Sequence, residues 1–132
     1  MPTLANIVIK KYDGTTNVTY TAVQGSSGDK TEATFVNNSV GTTPMEYPRL
    51  SVWSQSNGPK TARRLSGSFL WPTMKQDAGG NKIATGGASG TFSLLVPQNQ
   101  PLTDIQEQAA QFGNLVAAAL IRAAMIEGYA PR

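Results

Sequence analysis

The chain of 132 residues contains no cysteine and no histidine. Without cysteine there is no disulfide and no thiolate metal site. Without histidine the usual general base and the commonest metal ligand are missing, along with every Ser-His-Asp or Cys-His arrangement. Charge is scarce, at 14% of residues. The eight carboxylates (Asp13, Asp29, Glu32, Glu46, Asp77, Asp104, Glu107 and Glu127) are scattered over turns, caps and helix ends, not paired for acid–base work. Long hydrophobic runs are absent too. The longest, residues 115–121, falls far short of the roughly 20 residues that span a bilayer. Residues 1–5 carry no basic region leading into an apolar stretch, so no signal peptide is expected. These absences argue against an enzyme, a cofactor, a metal site, a small-molecule substrate and a membrane partner.

What fills the chain instead is Gly, Ser, Thr, Asn and Gln, a composition suited to strands, turns and close subunit packing. The length predicts one domain with one core. Net charge is only +3, but it is unevenly placed. Arg49, Lys60, Arg63, Arg64, Lys75 and Lys82 share their interval with Asp77 alone. That clustering fits a polyanion partner, and equally a solvated charged face. Two glycosylation-like triplets, at Asn17 and Asn37, carry no weight without a secretion signal. Gly79-Gly-Asn-Lys82 has the wrong glycine spacing for a phosphate loop.

The order of elements reads as strands first and helix last. An N-terminal hairpin is expected over residues 4–23, turning at Asp13-Gly14 between a β-branched run and an alternating one. A short strand over 31–36 precedes an irregular stretch, 37–48, rich in Asn, Gly, Thr and Pro. Further strands are expected over 49–55, 60–71 and 89–96, so that the sheet occupies 31–96 with a glycine-rich surface loop at 72–87. A helical region over 103–128 follows. Thr103 and Gln106 have the spacing of a capping box, and Gly128 suits the C-cap. Ile105, Ala109, Phe112, Val116, Ala119, Ala123 and Ile126 form one apolar face, with Gly113-Asn114 the expected bend. The fold class is α+β, and one helical segment on a small sheet must find a surface to cover, which a second copy could supply.

Strand alternation sorts the sheet into two faces. Leu50 and Val52, then Leu65, Gly67, Phe69 and Trp71, then Gly90, Phe92, Leu94 and Val96 make an apolar side. Arg49, Ser51, Trp53 and Gln55 oppose them on the first of these strands, Arg64, Ser66 and Ser68 on the next, and Ser89, Thr91 and Ser93 on the last. Arginines contact phosphates, hydroxyls hydrogen-bond, and an exposed ring can stack on an unpaired base. An ordinary solvated sheet face has the same pattern, except that a large aromatic on it usually has a partner.

Over nearly its whole length the chain resembles the coat proteins of single-stranded RNA bacteriophages of the levivirus type. The resemblance runs through Arg49-Leu-Ser-Val-Trp-Ser-Gln55, Arg63-Arg-Leu-Ser-Gly-Ser-Phe-Leu-Trp-Pro72, Gly90-Thr-Phe-Ser-Leu-Leu-Val-Pro97, and the helical region opened by Thr103-Asp104. It implies a homodimer whose sheets join edge to edge. The C-terminal helices, one bent or two, would pack on the partner's sheet through Ile105, Phe112, Val116, Leu120 and Ile126. It implies assembly into an icosahedral virion shell in the bacterial cytoplasm, around single-stranded viral RNA. The ten polar-face residues from Arg49 to Ser93 named above would face the RNA, with hairpin binding as a means of translational repression. Met74, Lys75, Gln76, Asp77, Gly79, Asn81 and Lys82 would meet their copies between dimers. Some members crosslink the shell through loop cysteines; this chain has none. A non-viral dimeric module for single-stranded nucleic acid is the alternative.

Overall fold

The structure is a computed structural model that describes residues 2–132, apart from the side chain of residue 84. Six strands form one antiparallel sheet in chain order: β1 (Ile7–Lys10), β2 (Asn17–Gln24), β3 (Ala33–Val36), β4 (Arg49–Ser56), β5 (Ala62–Gln76) and β6 (Lys82–Pro97). Two helices follow, α1 (Leu102–Val116) and α2 (Ala119–Glu127), bent 45° to each other. Among the described residues no single helix is long and apolar enough to cross a membrane. The α+β class and the strand-then-helix order are as the sequence indicates.

The first turn closes because Asp13 accepts from the amides of Thr15 and Thr16, both at 2.9 Å, while Gly14 takes a left-handed φ of 74°. The Thr16 hydroxyl and the two amides hold the Asp13 carboxyl at about 2. Past β3, Asn37 is buried; its amide donates to Pro48 O at 2.9 Å, closing the base of the irregular stretch as an Ω-like loop. A short 3-10 turn, Pro44–Glu46, lies within it.

Tyr20 on β2 and Phe35 on β3 are buried on the apolar side of the sheet, and Ala62 is buried at the start of β5. Further along, Gly67 faces Phe92 and Gly90 faces Phe69 across the β5–β6 ladder. A Cβ on Gly67 would collide with the Phe92 ring, so the glycine is the seat of that ring.

Three expectations are corrected. The loop expected over 72–87 is instead the end of a β-hairpin. β5 runs on through Pro72 to Gln76, β6 starts at Lys82, and only residues 77–81 turn. Gly79 and Gly80 sit in the turn, while Gly86 and Gly87 serve pairing: Gly87 has φ 150°, and a Cβ on it would strike the Trp71 carbonyl oxygen. Second, Thr103 does not cap. Pro101 holds the N-cap position, and its carbonyl accepts from Asp104 N at 3.1 Å and Ile105 N at 3.2 Å, so the helix begins earlier than expected and encloses Thr103. Third, Gly113-Asn114 stays helical and the break falls at Ala117–Ala118, where Ala118 is extended at ψ 147°. The Arg122 guanidinium donates to Ala117 O at 3.1 Å, satisfying a carbonyl that the end of α1 leaves orphaned. Gly128 caps α2 in the left-handed conformation, as expected.

The break shifts the phase of the apolar stripe. Ile105 and Phe112 are half-buried on α1, followed by Ala118, Ile121 and Ala124. Ala119, Ala123 and Ile126, which continue the unbroken periodicity, are exposed.

Candidate nucleic-acid interface

The strand register places all ten polar-face residues on one side of the sheet, because residues directly paired across a ladder share a face. Arg49 pairs with Leu70 and Leu70 with Ser89; Ser51 with Ser68 and Ser68 with Thr91. Trp53 pairs with Ser66 and Ser66 with Ser93; Gln55 pairs with Arg64. Trp53 therefore belongs to the polar face and is half-buried there, while Val52 beside it pairs with Gly67 on the apolar side.

The face extends beyond β4–β6. Thr34 pairs with Ser51, and a bulge that skips Val23 brings Gln24 opposite Thr34. Gln24, Thr34, Ser51, Ser68 and Thr91 thus form a row of hydrogen-bonding side chains across five strands. Sequence alternation separates Thr34 from Ala33 and Phe35, but the pairing of β3 with β4 and the bulge in β2 are not legible in a single strand's pattern.

Of the two arginines on this face, Arg49 is exposed at the rung nearest the Asn37–Pro48 loop, and Arg64 donates to Ser93 Oγ at 3.1 Å. That bond crosses from β5 to β6 and lays the guanidinium over the serine row with donors to spare. The exposed Leu70 and Leu95 bracket the face with apolar surface.

The basic cluster divides. Arg63, on the opposite side, donates to Ser56 Oγ at 2.9 Å and forms an ion pair with Asp29, whose carboxyl it holds below the ordinary range. Lys82 pairs with Glu46 at 2.8 Å. Lys82, and the amides of Thr42 and Thr43 behind it, hold the Glu46 carboxyl at about 2. A carboxyl depressed in this way contributes stability above its unfolded value of 4.5, which is lost as pH falls through about 2. Among the described residues these are the two ion pairs, leaving Arg49 and Arg64 free of carboxylates on the polar face.

Five side chains named above for a dimer interface do not form one cluster within the subunit. Ile105 and Phe112 are half-buried, whereas Val116, Leu120 and Ile126 are exposed, the last two at 64% and 66%. Met74 is half-buried within β5; Lys75, Gln76, Asp77, Gly79, Asn81 and Lys82 are exposed around the hairpin end. Asp77 Oδ1 accepts from Gly79 N and Asn81 N, each at 2.9 Å, closing the turn on itself.

No protein-family profile and no curated protein matches the chain. Solved structures do. The virus-like particle of Beihai levi-like virus 21 superposes with a TM-score of 0.81 at 20% identity, covering 99% of both chains. The virus-like particle of bacteriophage NT-214 gives 0.81 at 14% identity, covering 99% of this chain and 100% of that one. The fold is that of a levi-like phage coat protein. The bacteriophage GA capsid protein shares this coat-protein fold, with a TM-score of 0.71, 18% identity and 94% of each chain covered. The agreement is end to end, so it takes in the β5–β6 hairpin and both terminal helices of the coat fold.

Proposed function

We propose that the chain is the structural subunit of a phage shell, assembling through homodimers and binding single-stranded RNA on its polar sheet face. The observation that carries this reading is a full-length fold match to subunits of virus-like particles, in a chain that leaves its own helices bare.

The physics supports each step. Neither helix buries a single residue, and Leu102, Leu115, Leu120, Met125 and Ile126 are all more than half exposed. Burying one such side chain is worth about 1.5–3 kcal/mol, so the face is a strong driver of association. β6 lies at the sheet edge and is 16 residues long, with an unpaired row of amides and carbonyls. Long open edges invite strand pairing. A two-fold partner satisfies both demands at once: β6 pairs with its copy, and each pair of helices crosses onto the other sheet through residues such as Phe112, Val116, Leu120 and Ile126. Such an isologous, obligate interface exceeds about 2,000 Å² in total.

Once the helices cover the apolar side, the polar side remains for the RNA. Arg49 and Arg64 supply phosphate contacts, the hydroxyl rows supply hydrogen bonds, and Trp53 supplies a stacking surface for an unpaired base. Recognition of one hairpin on this face is the route to translational repression. The shell is then the virion coat, assembled in the bacterial cytoplasm, with the β5–β6 hairpin ends meeting between dimers. A structural subunit has no catalytic role.

Negative-stain electron microscopy of the protein expressed alone tests the reading, together with the ultraviolet absorbance ratio of the same fraction. Uniform closed particles rich in nucleic acid are expected. Small dimers free of nucleic acid, under conditions that permit assembly, overturn the shell and RNA roles and leave the fold standing.

A further inference from the structure

The Glu46–Lys82 ion pair ties two segments 36 residues apart, and its position in the fold is mechanical. β4 pairs with β5 only as far as Leu70. From Trp71 outward, β5 and β6 form a two-stranded ribbon that projects past the other strands. Lys82 stands near the far end of that ribbon, and Glu46 belongs to the loop between β3 and β4.

Two consecutive rungs and the bulge that follows them, between the sheet body and Lys82, are weak. Pro72, paired with Gly87, has no amide to give the ladder. Gly86 and Gly87 adopt φ values of 139° and 150°, which L side chains rarely reach. The register then slips between Thr73 and Met74, with Thr85 as the extra residue. Beyond the slip, Met74–Ala84, Lys75–Ile83 and Gln76–Lys82 pair normally and Asp77 closes the turn, so the end of the ribbon is a unit in itself.

The acceptor side is built to survive separation. Glu46 Oε2 accepts from Thr42 N at 2.6 Å and Thr43 N at 2.9 Å, and Gly41 has no room for a Cβ beside the Glu46 side chain. Lys82 donates to Oε1 at 2.8 Å and also to the Thr42 hydroxyl at 3.0 Å. If Lys82 leaves, the carboxylate keeps its amide donors, and the lysine, already 42% exposed, goes to water.

We propose that Glu46 and Lys82 form a releasable latch that sets the angle of the β5–β6 ribbon about a hinge at Pro72–Thr73 and Thr85–Gly87. Latched, the ribbon is drawn to the β3–β4 loop. Released, it swings as a unit and presents Lys82 as a free cation. The latch rests on the subunit's own geometry and holds whether or not shells form.

The chain has no native cysteine, so Asn38→Cys and Ala78→Cys can carry a pair of spin labels, diluted with unlabelled protein. The expected result is one narrow distance on the otherwise native background. Lys82→Met should broaden it or add a second distance, Lys82→Arg should keep it narrow, and about 1 M salt should broaden the native background but not change Lys82→Met. An unchanged distribution in Lys82→Met overturns the latch. Hydrogen exchange on Lys82→Met locates the hinge: faster exchange confined to residues 73 and 85–87 is expected, whereas faster exchange throughout 74–84 means that the end melts, and overturns the swing.

Discussion

The sheet body and the helices of this subunit satisfy themselves to different degrees. In the body, Tyr20, Phe35 and Ala62 are buried, and the buried polar groups are answered from within: Asn37 bonds Pro48 and Ser39, and Glu46 bonds Thr42, Thr43 and Lys82. In α1 and α2 nothing is buried, although both carry large apolar side chains such as Leu115, Leu120 and Ile126. One region is closed by its own chain, and the other leaves apolar side chains bare. The contrast separates what the subunit needs in order to fold from what it needs in order to associate.

The largest effect is expected where a charge is placed on the bare face. Leu120→Asp combined with Ile126→Asp should abolish dimers, because burying each carboxylate costs several kcal/mol. Sedimentation equilibrium would then show subunit mass, or the chain would be insoluble; intact dimers would mean that the helices are not the interface. Phe35→Ala strikes the other region. It should lower stability by about 3–5 kcal/mol, seen as a shifted urea midpoint at fixed protein concentration, while the oligomeric mass under native conditions stays that of the parent. Arg64→Ala touches neither packing region. It should weaken RNA binding and flatten the salt dependence by about one unit of slope, with dimers intact; an unchanged slope in a filter-binding titration removes Arg64 from the interface. The smallest effect is expected at Thr103→Ala. A true N-cap is worth about 1 kcal/mol, but Thr103 lies inside α1 with no capping bond, so thermal unfolding should barely move.

These contrasts also explain what the sequence made legible. The two sheet faces follow from strict alternation, which a ladder preserves, and so the polar face from Arg49 to Ser93 is readable residue by residue. Trp53 falls where alternation puts it. The extent of β5 and β6 is not readable, because Pro72, Gly79, Gly80, Gly86 and Gly87 signal a loop locally while long-range pairing keeps the segment in the sheet. The helix break is hidden for the opposite reason. Ala117 and Ala118 favour helix, and the local signal, Gly113, is overridden; what marks the site is the Arg122 bond to Ala117 O, a contact made after the turn has formed. Gln24 joins the polar face only through a bulge, which shifts parity without any marker in the β2 sequence.

The order of the sheet has a consequence for synthesis. Each strand pairs with the one before it in the chain, so the sheet grows by one hairpin closure at a time and needs no later segment to complete it. Closures between sequence neighbours are the fastest a sheet can make. The outer edge of β6 and the bare helices come after the other five strands in chain order. A growing chain can therefore lay down most of its strand pairing before its exposed apolar helices are made.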